Sequence, residues 1–303
     1  MHRFLFQPHL VEFIFGSSDV TPRSKIVMTQ RILDGLRRGG LIAATQRLIG
    51  GPGGGSSRVA YYLTAQGYRI AASFSPGLPS RRRPPVRGTF LLGHAAMTAD
   101  VALAFRRAAR SHAGHELVDW ACDWQTALRL GSSKVLPDAY LVYRSAAYEL
   151  TAFVEVDMGT EGTRFFGRKI GRYLDLYGHD GWRTHLRYWP LVLTIVPDAT
   201  RATALRLATE AVLESRGFRA DDEVVEFRFA ALADVIGAPG PIGTIWQVAL
   251  RDGMHPLAPD GDADQLTPNE AARVASEPGQ PLAPGKEPNA NLNNRNPELP
   301  RDA

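Results

Sequence analysis

Different hydrophobic spacings follow one another along this chain, and each predicts an element. Between Pro22 and Arg38, the residues Ile26, Ile32, Leu33 and Leu36 recur at helical spacing. Thr21-Pro22 opens that stretch as a capping residue followed by a first-turn proline, and Gly39-Gly40 stops it. Leu41 to Ile49 follows, then Gly50 to Ser57, built from glycine, proline and serine. After it Val59, Tyr61 and Leu63 alternate with Ala60, Tyr62 and Thr64, the period of a strand. Residues 1–74 are therefore expected to form helix, helix and a glycine-tipped two-stranded ribbon.

Further on the period changes repeatedly. Thr98 to Arg110 is helical, Leu117 to Trp124 is a strand, and Asp138 to Arg144 and Glu149 to Asp157 are two strands around Ser145-Ala146-Ala147-Tyr148. Thr160 is expected to cap a helix running to about Tyr177. Leu191 to Val196, five aliphatic residues and Thr194, reads as a buried strand, Ala202 to Ser215 is helical, and Val224 to Leu232 is a last strand. This alternation predicts an α/β fold: a mixed β-sheet flanked by helices over 97–252. Between the two parts, 75–96 reads as a linker, because Pro, Gly and Arg displace apolar periodicity from Ser75 to Pro85. From 253 to 303 proline, asparagine and acids dominate with almost no aromatics, and a disordered tail is expected.

Composition narrows the classes. With 303 residues and 44% hydrophobic content the chain can bury a substantial core. Its one cysteine, Cys122, excludes an internal disulfide and a Cys-rich zinc site. The opening apolar stretch is interrupted by Pro8, His9 and Glu12, so neither a signal peptide nor a membrane helix is expected, and the location predicted is cytoplasmic. The net charge of +4 conceals an asymmetry: residues 1–96 hold thirteen Lys and Arg against three acids. A basic first third followed by an acidic remainder points to a polyanion facing the first module. The competing reading is a solvated basic surface.

The glycine-rich loop must be tested as a phosphate cradle. Such a loop needs a helix after it and usually Gly-Lys-Ser/Thr, and neither is present. A hairpin tip explains it better. Helix, basic helix and hairpin together describe a winged helix, whose second helix enters the major groove of double-stranded DNA. Arg23, Lys25, Thr29 and Arg31 on that helix, and Arg58 beside the loop, are the expected DNA contacts. The alternative is a small α+β module that docks on the rest of the protein or on another copy.

The hairpin around Ala146-Ala147 permits a geometric inference. A tight turn there sets Asp138 opposite Glu155 and Tyr140 opposite Phe153, and Asp157 shares the Glu155 face. Three carboxylates at one end of an apolar face repel one another unless a cation or proton compensates. Oxygen-rich sets of this kind suit Mg²⁺ or Mn²⁺, with Asp138, Glu155 and Asp157 as the metal ligands expected here. Lys169, two turns into the following helix, can lean toward them. His94 and His112, flanking a helix, are expected to be capping or surface groups. The alternative for the carboxylates leaves Asp157 ending a strand and the basic residues as a solvated face.

These residues carry a resemblance. Tyr61-Tyr62-Leu63-Thr64 with Gly67, Gly93-His94, Trp124, Pro137-Asp138-Ala139 and the run Phe153 to Glu161, continued by Lys169, Ile170 and Tyr173, resemble the bacterial replication-relaxation family, over about residues 5–250. The resemblance implies a role in plasmid replication and plasmid DNA relaxation, with plasmid replication proteins as further partners. At the level of pattern the second part also resembles the PD-(D/E)XK nuclease fold, the restriction-endonuclease-like architecture whose hairpin presents an Asp and a Glu-x-Lys to a divalent metal. Asp138 and Glu155 occupy the acidic positions, Asp157 stands where the lysine belongs, and Lys169 is the substitute. That likeness implies a metal-dependent DNA-nicking site built from Asp138, Glu155, Asp157 and Lys169. The alternative function is a non-catalytic replication accessory or transcriptional regulator that keeps a degenerate nuclease-like domain as a scaffold.

Overall fold

The computed structural model describes residues 2, 4–45, 59–74, 89–122, 128–130, 133–145, 148–179, 181–184, 186, 189–219 and 225–257. Its first part runs β1 (Leu5–Phe6), α1 (Gln7–Phe15), α2 (Pro22–Arg38), β2 (Ile42–Ala44), β3 (Ala60–Leu63) and α3 (Ala65–Ser73). The Thr21 hydroxyl accepts from the Ser24 backbone N–H at 3.3 Å, so α2 starts where its capping signal predicts. It ends at the glycine pair, with Gly40 at φ +67°. The ribbon has a third strand: the antiparallel order is β1-β3-β2, with Leu5 opposite Tyr61 and Ile42 opposite Leu63. The loop between β2 and β3, with Arg58, lies outside the described residues.

The face that α2 buries differs from the expected one. Thr29 and Leu33 are its buried residues, whereas Ile26 and Ile32 are exposed at 51% and 39%. Thr29 is thus removed as a DNA contact: it points into the packing beside α1, where Gln7 donates to Gln30 at 3.2 Å. Thr29 and Leu33, one turn apart, form the buried stripe, and Ile26 and Ile32 are left on the solvent side. Arg23 and Arg31 are exposed and Lys25 is half-buried.

In the second part α4 (Thr89–Ser111) begins well before the expected Thr98 and takes up the end of the segment read as linker; 75–88 lie outside the described residues. Then come β4 (Glu116–Cys122), β5 (Leu128–Leu130), β6 (Ser133–Val135), β7 (Ala139–Arg144), β8 (Glu149–Val156), α5 (Thr163–Gly178), β9 (Leu191–Val196), α6 (Ala199–Ser215), β10 (Phe227–Ala231), α7 (Leu232–Ile236), β11 (Trp246–Val248) and β12 (Met254–His255). A mixed seven-stranded sheet has the order β12-β11-β10-β9-β8-β7-β4, parallel from β8 through β10 and antiparallel elsewhere; β5 and β6 pair separately. The hairpin register is the predicted one, with Ala139 opposite Val154 and Tyr140 opposite Phe153.

Helices cover both faces. Val101 and Phe105 of α4 pack with Leu141, Val154, Leu193 and Trp246 on one side. Phe166, Ile170 and Tyr173 of α5 pack with Phe153, Val192 and Phe227 on the other. Every residue of β9 is buried, Thr194 included, as befits a central strand covered on both faces. The segment from Gly253 expected as tail begins instead with β12, and Leu257 is buried. Among the described residues no helix is long and apolar enough to cross a membrane.

Two glycines give opposite expectations. A Cβ on Gly67 would lie 1.9 Å from the Leu41 carbonyl oxygen, whereas one on Gly35, exposed within α2, meets nothing within 4 Å. Gly67→Ala should lower unfolding stability by about 1–3 kcal/mol or more through overpacking. Gly35→Ala should raise it by about 0.5–1 kcal/mol through helix propensity. Denaturant titration of both variants reads the two signs, and a neutral Gly67→Ala would contradict the close approach of α3 to Leu41.

Candidate functional site

The site begins with the β7–β8 ladder. Its hydrogen bonding continues one residue past β7, where the Asp138 backbone N–H donates to the Val154 carbonyl at 3.0 Å. The carboxylate of Asp138 turns back to the neighbouring strand and accepts from the Val156 N–H at 2.8 Å. On the same oxygen it meets His94 Nε2 of α4 at 3.1 Å. Burial pushes Asp138 up, but the His94 bond, the charges of His94 and Lys169 and the Val156 N–H outweigh it and hold the carboxyl below its ordinary range. For His94 burial works downward, and the bond and charge of Asp138 reverse it to a net rise.

Glu155, 2% exposed, lies across from Asp138 on the α5 side of the sheet. Tyr173 donates its hydroxyl to Glu155 Oε1 at 2.5 Å, and Lys169 donates to Oε2. Lys169 and Tyr173 stand four residues apart, so one turn of α5 places both donors over one carboxylate. Burial raises Glu155 to about 7, with Asp138 adding to the rise while Lys169 and Tyr173 hold the charged form against it. Glu155 thus sits at the carboxyl end of a parallel strand with its carboxyl raised by burial and bonded to a lysine.

Asp157 does not join this cluster. Past the end of β8 its backbone N–H donates to Ile195 at 2.9 Å, following β9 and turning the carboxylate toward α6. There Arg201 grips it through two bonds, Nε to Oδ2 at 2.6 Å and Nη2 to Oδ1 at 3.1 Å, and also reaches the Glu161 carbonyl at 2.6 Å. The Gly159 N–H adds a further bond to Oδ2 at 3.1 Å. The expectation of three carboxylates sharing one ion is therefore corrected: Asp157 has its own arginine, which has a stronger claim on it than a shared cation. Among the described residues no group of three or more His, Cys, Asp or Glu is arranged to hold a metal.

What remains is a two-carboxylate donor set. Asp138 Oδ1 has no hydrogen-bond partner among the described residues, whereas both Glu155 oxygens are bonded, Oε1 by Tyr173 and Oε2 by Lys169. Two carboxylates are a number that Mg²⁺ sites use, with water and phosphate oxygens completing the shell, and Asp138 Oδ1 is the oxygen left for such a contact. Sequence reasoning gives His94 only a capping or surface role, because it starts the helix after that residue, whereas α4 contains it. Arg201 escapes such reasoning altogether; an arginine three residues past the Asp198 cap of a helix following a buried strand is the signal that could find it. Tyr173 is a buried core residue and also a hydrogen-bond donor to Glu155.

Arg201→Met should cost about 3–5 kcal/mol, since it strands the buried Asp157 charge. Adding Asp157→Asn should recover part of that loss, and a double variant no more stable than the single one in urea titration would show that the pair is not what is being measured. The pH dependence has a definite sign. Glu155 binds protons more tightly folded than unfolded, so its contribution is present in full below about 4.5 and is lost as pH rises toward about 7. His94, also raised, adds a loss in the same direction above about 6.5. Stability should thus fall across that interval, and Glu155→Gln should flatten the slope; an unchanged slope would refute the assignment.

Among known proteins, the family model described as Replication-relaxation matches residues 2–192, a span that takes in Asp138, Glu155, Asp157 and Lys169. No curated protein and no solved structure matches the chain. The match spans well over half of the 303 residues, and the chain belongs to the replication-relaxation family.

Proposed function

We propose that this chain is a DNA-binding protein of plasmid or mobile-element replication and DNA relaxation, with a winged helix for duplex contact and a nuclease-like site at the β7–β8 hairpin. The observation that carries the reading is the convergence of Asp138, Glu155 and Lys169, from two strands and a helix, around one partly accessible point. The first part supports it: two helices are followed by an antiparallel strand pair, with β1 against β3, an order compatible with a winged helix. On the solvent side of α2, Arg23, Arg31 and Arg38 stand with Val27 and Met28, a mixture suited to phosphates and base methyl groups.

In this reading Asp138 and Glu155 hold Mg²⁺ or Mn²⁺, which when bound polarises the phosphate and activates water. The chain's own residues prepare the site. His94 and the Val156 N–H keep Asp138 ionised and oriented, and Tyr173 fixes the angle of Glu155. Lys169, held charged by its acidic neighbours, stabilises negative charge developing on the phosphate oxygens.

One observation favours a second reading. Each carboxylate is already compensated, Glu155 by Lys169, Asp157 by Arg201 and Asp138 by His94, which suits a non-catalytic replication accessory or regulator built on the same scaffold. Incubation of supercoiled plasmid with Mg²⁺, Mn²⁺ or EDTA separates the two. Metal-dependent nicking that drops by about two orders of magnitude or more in both Asp138→Asn and Glu155→Gln supports the enzyme. Intact plasmid under every condition, with duplex binding retained, supports the accessory.

A further inference from the structure

The helix that supplies Lys169 carries a second charged feature on its outer side. Arg164, Arg168 and Arg172 recur at every fourth residue of α5, so they form one exposed ridge with steps of about 6 Å. The ridge borders a groove of about 690 Å³ between α5 and α6. Gly167 and Gly171 let the two helices approach there; a Cβ on Gly167 would touch Val212 at 3.4 Å. Like charges at this spacing destabilise a helix, so folding alone gives no reason to align three of them.

The neighbouring acids do not neutralise the ridge. Asp175, which also lines the groove, is taken by Arg216 at 2.9 Å, and the charge of Glu161 is felt by Lys169 and Arg201. Among the described residues no carboxylate forms an ion pair with Arg164, Arg168 or Arg172. Arg168, which lines the groove, lies over the exposed Phe165 ring at 5.0 Å.

We propose that this ridge and groove form a second DNA-contacting surface, separate from α2, that takes the phosphate oxygens of a DNA backbone. Guanidinium groups bind phosphate through paired hydrogen bonds, and a row of them with no protein counter-charge is complementary to a strand of regularly spaced anions. The inference rests on the DNA-binding reading above and extends it to the second part of the chain.

Anisotropy titrations of the full chain with duplex and with single-stranded DNA, between 50 and 200 mM salt, test it. Removing one phosphate-binding cation lowers the slope of log affinity against log salt by about 0.9 for duplex or about 0.7 for a single strand. Arg164→Gln/Arg168→Gln/Arg172→Gln should therefore reduce the slope by about 2–3, and affinity at low salt should fall at least tenfold. All three side chains are exposed, and the thermal midpoint should hold or rise; if it falls, the single variants Arg164→Gln and Arg172→Gln should each show a reduction of about 1. Unchanged slope and affinity, with wild type binding normally, removes the ridge and leaves the DNA-binding reading standing. Wild-type protein that binds neither DNA removes both. Equal loss of binding to polyglutamate would mark the ridge as a surface for acidic protein and overturn the DNA assignment.

Discussion

A carboxylate buried in an aromatic face is the constraint around which the second part is organised. Glu155 projects from β8 toward a layer containing Phe153, Phe166, Tyr173 and Phe227, where an unpaired charge is prohibitively costly. Its two oxygens are met by Lys169 and Tyr173, and both donors come from α5. That requirement sets the rotation of α5 about its axis as well as its height over the sheet. Phe166 and Ile170 fall inward as a consequence, and the arginines at 164, 168 and 172 have nowhere to go except outward. A polar contact at the centre thereby decides which face of a helix meets solvent.

Legibility in the sequence follows the length of the periodic signal. The β7–β8 register is readable because six consecutive pairs obey one alternation, and β9 because so short a stretch of aliphatic residues around a single threonine suits little besides a strand covered on both faces. The strands β1, β11 and β12 have two or three residues each, too few for any period, and they form only because a longer neighbour offers unpaired backbone groups. The start of α4 is hidden by the Pro- and Arg-rich stretch just before it, and with it the pairing of His94 to Asp138. On α2 the apolar positions alone cannot say which residues face inward, since the helix buries a threonine and a leucine and leaves two isoleucines exposed.

Compensation of the acidic residues comes from two regions of the chain. His94, Asp138, Glu155, Lys169 and Tyr173 all lie within the segment matched to the replication-relaxation family, so the central cluster is assembled from family sequence. Arg201 lies beyond residue 192, in the helix that follows β9. The outer acid, Asp157, therefore owes its partner to the part of the sheet built after the matched segment ends.

The turn after α2 has a mechanical implication. Leu41 donates its N–H to Leu36 inside the helix at 2.9 Å and accepts from the Thr64 N–H at the end of β3 at 3.0 Å, while the Thr64 hydroxyl donates to Gly40 at 2.6 Å. One peptide thus belongs to the helix terminus and to the strand pair together. Torque applied to α2 would be passed to β2 and β3 without slack, so helix and hairpin would engage or release a surface as a single lever.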